Sequence, residues 1–92
     1  MYHITQYSYD RAKQLGVTIE PSHRPEKKID IYAPSGHFLV SIGAQGYDDY
    51  PTYYQQYGPE YAEERRRLYK IRHNKDRHIV GSKGWWADKI LW

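Results

Sequence analysis

One stretch limits what this chain can become more than any other. Residues 59–75, PEYAEERRRLYKIRHNK, have the composition and the ends of a single amphipathic helix. Gly58 is placed to cap it, and Pro59 suits the first helical position, where a missing N–H costs nothing. Glu60, Glu63 and Glu64 gather at the positive end of the helix dipole, and Lys70, Arg72 and His73 at the negative end. Glu63 and Arg67 stand four apart in the favourable order. Asn74 is a candidate left-handed terminator.

A turn of about 100° per residue sorts these side chains into faces. Ile71, Leu68, Tyr61, Tyr69 and Ala62 fall on one broad arc, which predicts the packed side. Arg65 and Arg72 fall inside that arc. A buried guanidinium needs a carboxylate or carbonyl, so Arg65 and Arg72 are expected in structural ion pairs, with Asp48 or Asp49 as partner. Arg66, Arg67 and Lys70 lie opposite and are expected to face water or a partner.

The charge distribution sharpens this reading. Residues 60–79 hold seven Lys/Arg against four Asp/Glu, and the rest of the chain holds seven of each. The whole excess of +3 therefore sits on or just after the helix. Such a local footprint suits a phosphate or an acidic partner, and equally a solvated, solubilising face. Arg66, Arg67, Lys70, His73, Lys75 and Arg77 are the candidate partner- or nucleic-acid-binding residues.

At 92 residues the chain has room for one domain with a modest core, 1–92. Only 39% of it is apolar, so eleven tyrosines and three tryptophans must supply much of the buried area. The absence of cysteine excludes disulfides, thiol chemistry and Cys-type zinc sites, and suits a reducing compartment. No segment has the length and apolarity of a membrane span, and no signal-peptide pattern follows Met1.

Along the chain, residues 5–16 predict a short helix, capped by Thr5 or Ser8 and ended by Gly16, with Tyr9, Ala12 and Leu15 as its stripe. Residues 17–19 suit a short strand, and the two prolines in 21–25 a loop. Residues 27–32 alternate as a strand, 33–36 form a turn, and 37–42 return with Phe38, Val40 and Ile42 on one face. A bulge at Gly36 would change the register. Asp49 or Thr52 is placed to cap a short helix over 52–57, and Ser82 to cap an aromatic terminal element over 85–92.

No catalytic constellation emerges. Asp48 and Asp49 together suit a divalent cation, as in a metal-dependent nuclease, but no third ligand accompanies them and the ion pair with Arg65 or Arg72 is preferred. His37, His73 and His78 match no zinc spacing and have no paired nucleophile. Gly36, Gly43 and Gly46 lack the spacing and lysine of a phosphate loop. No metal or cofactor is expected.

The second half carries Gly46-Tyr47-Asp48-Asp49-Tyr50, then Arg66-Arg67-Leu68-Tyr69-Lys70-Ile71-Arg72-His73, then Leu91-Trp92. In these, and in LGVTIEPS and KKIDIYAPSGHFLVSIG upstream, the chain resembles small proteins of unassigned function from large double-stranded DNA viruses of algae and protists. Those share a "GY-x-DY" loop, an "RR-x-x-Y-x-x-RH" helix and a terminal "LW", and the resemblance covers roughly residues 12–92. It implies a viral setting, in the virion or in the cytoplasm or nucleus of an infected cell and not secreted, with no catalytic residues.

The fold expected is α+β: a β-hairpin, with a third short strand as an option, on a long amphipathic helix and a C-terminal aromatic helix. The function expected is non-enzymatic, a minor capsid or internal protein docking onto viral structural proteins through basic and aromatic surfaces. The alternative is a sequence-nonspecific nucleic-acid binder that uses the exposed basic face of residues 59–75.

Overall fold

A computed structural model describes all 92 residues. The architecture is α+β, with a three-stranded antiparallel sheet and four α-helices. The chain divides into two compact units, Met1–Tyr47 and Asp48–Trp92.

The first unit opens with helix α1, Gln6–Leu15. Thr5 caps it, its Oγ1 accepting from Ser8 N at 3.4 Å, and Gly16 ends it at φ 74°. Its buried residues are Ser8 and Ala12, four apart, while Tyr9 turns outward and corrects the expected stripe. Three strands follow: β1 (Thr18–Pro21), β2 (Lys27–Tyr32) and β3 (Phe38–Ala44), in the order β1-β2-β3. The optional third strand is therefore present.

Ile19 stands opposite Ile31, and Ile29 opposite Ile42, and all four are buried. Burial of each such side chain contributes about 1.5–3 kcal/mol. The bulge lies within β3, three residues beyond the Gly36 position that the sequence suggested. Ile31 pairs with Val40 but Tyr32 pairs with Phe38, so Leu39 is the extra residue. This moves Phe38 off the Val40–Ile42 face and onto that of Tyr32, where the two rings meet edge to face at 5.8 Å.

The same face carries a buried polar network. Ser41 Oγ donates to Asp30 Oδ1 at 2.5 Å and accepts from Arg24 Nε at 3.0 Å, while the Arg24 guanidinium lies 4.3 Å from the Phe38 ring centre. Burial alone would raise the Asp30 carboxyl. Hydrogen bonds from Ser41 and Ser22 and the charges of Arg24 and His23 outweigh it and hold the group below its ordinary value. Lys28, also buried, donates from Nζ to the Tyr47 carbonyl and lies 5.2 Å from the Tyr2 ring centre.

The second unit is helical. Helix α2, Tyr50–Tyr57, starts two residues earlier than expected, because Asp49 Oδ1 accepts from Thr52 N at 3.1 Å and Pro51 is accommodated in the first turn. Gly58, at φ 90°, separates it from α3, Pro59–Arg72. Helix α3 stops short of Lys75, and its terminator is His73 rather than Asn74, with His73 N donating to the Tyr69 carbonyl at 2.9 Å. A 3-10 turn at Asp76–His78 leads to α4, Lys83–Ile90, capped by Ser82 Oγ accepting from Trp85 N at 3.1 Å. The last residues return to the start of the unit, where Tyr50 N donates to the Leu91 carbonyl at 3.1 Å.

The orientation of α3 differs from the expected one by roughly one residue step, about 100°. Its buried residues are Ala62 and Tyr69, and Arg66 and His73 continue the same line at half exposure. Ile71, assigned to the packed arc, is 61% exposed, and Tyr61 is 45% exposed. The cause is the material available for burial. Aromatic rings and arginine stems fill this interior, and they do so on a face that hydropathy does not mark.

Candidate interaction surface

The rotation of α3 redistributes its cations. Arg72 is exposed, and Arg65 sits at half exposure with its guanidinium 5.2 Å from the Tyr53 ring centre. Neither forms the expected ion pair with Asp48 or Asp49. Asp48 is exposed, and Asp49 is buried as the cap of α2.

The residues expected to form a free ridge are instead engaged within the unit. Arg66 places Nη1 3.2 Å from Glu63 Oε1 and its guanidinium 3.6 Å from the Tyr50 ring centre. Arg67 is held in a two-pronged contact by Glu64, at 2.6 and 3.0 Å. Hydrogen bonding to Glu64 raises the Arg67 guanidinium further, and the same bond to Arg67 lowers Glu64. Lys70 Nζ lies 2.8 Å from Oδ1 of the buried Asp88. His73 stacks on Tyr69 at 4.4 Å and sets Nδ1 3.3 Å from Asp76 Oδ2. Arg77 Nε donates to the Lys70 carbonyl at 3.3 Å, where the last turn of α3 lacks partners. Of the six candidates, Lys75 stays exposed with no contact of this kind.

A surface that the charge pattern did not reveal emerges from the tyrosines. Within this unit, rings run in contact from His73 through Tyr69 and Trp92 to Tyr53, and on to Tyr57 and Tyr61. Tyr69 and Trp92 stack at 4.4 Å, 8° from parallel. Tyr53 lies 6.2 Å from Trp92 and 5.6 Å from Tyr61, and Tyr57 lies 4.6 Å from Tyr61. The inner end is buried at Tyr69. The outer end is open, with Tyr54, Tyr57 and Tyr61 all exposed. Burial, with the nearby Asp88 and Asp76 carboxylates, pushes the Tyr69 phenol well above its ordinary value and keeps it neutral.

Two of the exposed rings, Tyr54 and Tyr57, belong to a helix with no charged residue, and Tyr61 to α3. Helix α2 reads YPTYYQQY, and Tyr54, Gln55, Gln56 and Tyr57 form its exposed end. The signal was present in the sequence as tyrosines at 50, 53, 54, 57 and 61, three or four apart on either side of the Gly58–Pro59 break. Separately, a shallow depression of about 580 Å³ on α3 is lined by Pro59, Glu60, Glu63, Glu64 and Arg67, with no tyrosine among them.

No three or more His, Cys, Asp or Glu side chains gather as a set able to hold a metal ion. No helix is long and apolar enough to cross a membrane. Compared with family profiles, with curated proteins and with solved structures, the chain matches none of them.

Proposed function

We propose that the protein is a non-enzymatic docking component of a larger assembly, engaging a partner protein through the exposed tyrosines of α2 and α3. The observation that carries this reading is the pairing of exposed Tyr54, Tyr57 and Tyr61 with a cationic ridge that its own carboxylates occupy. Tyrosine suits docking because it buries a large area at low entropic cost and keeps a hydroxyl for hydrogen bonding. Tyr57 and Tyr61 rest on each other and on Tyr53, which meets Trp92 of the Tyr69–Trp92 stack, so little freedom of these two rings remains to be lost on binding. The resemblance to small proteins of large DNA viruses gives the assembly its identity in this proposal: a virus particle, with the chain as a minor capsid or internal virion protein.

The test is the composition of purified particles. The chain should be present at a fixed copy number, and Tyr57→Ala with Tyr61→Ala should lower its incorporation while leaving its folded signal intact. Absence of the chain from particles would remove the virion reading. Unchanged incorporation in the double variant would remove the tyrosine surface from it.

Nucleic-acid backbone contact is a second reading, favoured by the exposed Arg72 and Lys75, which no carboxylate engages. It is narrower than the charge count suggested, because Arg66, Arg67 and Lys70 would have to leave their present partners first.

A further inference from the structure

We propose that Tyr57 and Tyr61 form a site of oxidative cross-linking, at which a one-electron oxidant joins the two phenol rings by a carbon–carbon bond and ties the end of α2 to the start of α3. The inference goes beyond the docking reading and does not depend on it.

Three observations carry it. First, the two rings are already in contact. Their centres lie 4.6 Å apart, closer than either lies to Tyr53, at 6.3 and 5.6 Å. Second, both phenols are open to reagent and to water. Tyr57 is 59% exposed and Tyr61 45%, and neither hydroxyl has a hydrogen-bond partner within the protein. An oxidised phenol releases its proton, and water is the acceptor at both hydroxyls. Third, no other exposed tyrosine has such a neighbour. Tyr9, Tyr47 and Tyr54 are exposed too. The ring partner of Tyr54 is Tyr50, which is buried and donates its phenol hydrogen bond to Glu63. Tyr9 and Tyr47 touch no tyrosine ring.

The chemistry balances with two equivalents of oxidant. Each phenol yields one electron to the oxidant and one proton to water, which leaves two phenoxyl radicals. The radicals couple through the carbons ortho to their oxygens. The hydrogen on each coupled carbon then moves to the neighbouring oxygen by way of water, which restores two phenols. The net change is the loss of two hydrogen atoms. Proximity decides the partner, because a radical held against a second oxidisable ring couples faster than it meets a ring on another molecule. Tyr57 is the last residue of α2 and Tyr61 lies in the first turn of α3, so the new bond spans the Gly58–Pro59 break.

The test is photo-oxidation of the full chain, at low micromolar concentration, with a ruthenium tris-bipyridyl complex and persulfate. Mass spectrometry should find a monomer two hydrogens lighter than the untreated chain, with the fluorescence of dityrosine. A glutamate-specific protease then locates the bond, because Glu60 lies between the two tyrosines. Cleavage after Glu60 separates Tyr57 from Tyr61 in the untreated chain and leaves them joined in the treated one. Tyr57→Phe and Tyr61→Phe should each abolish the cross-link, and Tyr54→Phe should leave it unchanged. All three keep the ring, and thermal melting checks that they keep the fold. In denaturant, where only sequence spacing remains, coupling should scatter over Tyr50, Tyr53, Tyr54, Tyr57 and Tyr61. The proposal is overturned if the folded chain yields no link or only intermolecular ones, joins another pair in preference, or keeps the same selectivity in denaturant. Each of these results leaves the particle-composition test of the docking reading standing.

Discussion

The phenol of Tyr50 donates to Glu63 Oε1 at 3.1 Å, and the same oxygen takes Arg66 Nη1 at 3.2 Å while the Arg66 guanidinium covers the Tyr50 ring. One carboxylate oxygen thus ties the first residue of α2 to the second turn of α3. The Arg66 side chain is only 26% exposed, so this arginine belongs to the packing of the unit.

It follows that Arg66→Ala should destabilise the fold by about 1–2 kcal/mol, through lost stem packing and the lost cation–ring contact. Arg67→Ala should leave stability nearly unchanged, because its pair with Glu64 is more than half exposed on both sides. Denaturant unfolding of both variants, with Tyr50→Phe to complete a double-mutant cycle with Arg66→Ala, reads the difference. Equal midpoints for the two arginine variants would contradict it.

Lys70 and Asp88 make a different kind of pair. The Asp88 side chain is 5% exposed and the Lys70 side chain 34%. Removing the lysine leaves a buried carboxylate without its cation, so Lys70→Ala should cost about 1–3 kcal/mol. Introducing Asp88→Asn in the same chain should recover part of that loss, as measured by thermal melting, because the neutral amide needs no counter-charge.

Gly84 is buried against Asp76. A Cβ there would approach Asp76 Oδ2 closely and lie 2.6 Å from its Cγ. Alanine would otherwise favour helix α4 by about 1 kcal/mol over glycine. The expected result is that Gly84→Ala destabilises in the native background, and destabilises less when Asp76→Ala removes Oδ2 and Cγ and leaves only the Asp76 Cβ, 3.1 Å away. Two melting curves decide it.

Stability should fall at both ends of the pH scale for separate reasons. Asp30 is held below its ordinary value of 3.8 in the folded chain. Its contribution is therefore full above about pH 4 and is lost as pH falls through the folded value. Tyr69 is raised above its ordinary 10.0. Its contribution is full below about pH 10 and is lost as pH rises beyond that, because the unfolded phenol ionises first. Asp30→Asn should flatten the acid limb of a stability–pH profile, and Tyr69→Phe the alkaline limb, each leaving the other limb unchanged.

Local chemistry was legible in the sequence wherever a single residue decides it. Thr5, Asp49 and Ser82 cap helices as their side chains predict, and Gly16 and Gly58 end them. The strand at 27–32 follows from alternation, and so does most of the next, expected over 37–42, although the structure carries it through Gly43 to Ala44; residues 18–21 complete the sheet. The face of α3 was legible only in part: its two buried residues, Ala62 and Tyr69, lie on the expected arc, whereas Ile71 and Tyr61 on that arc are exposed. Ile71 and Leu68 drew the expected arc toward themselves, and the helix is held by Tyr69 on Trp92 and Arg66 on Tyr50. Those contacts join residues 16 to 23 positions apart, and no helical period records them. The expected inward pairs at Arg65 and Arg72 fell with that arc. The tyrosine surface was visible as spacing but lay across a helix break, where a search within one helix does not look.

The central claim is that Arg66, Arg67 and Lys70 of α3 are occupied within the protein, so that its binding surface is aromatic. Salt-titrated binding to duplex DNA tests it most directly. The account predicts weak binding at low salt with a log–log slope no steeper than about two phosphate contacts produce, unchanged in Arg66→Ala/Arg67→Ala. Tight binding with a slope of about five contacts, flattened in that double variant, would contradict it.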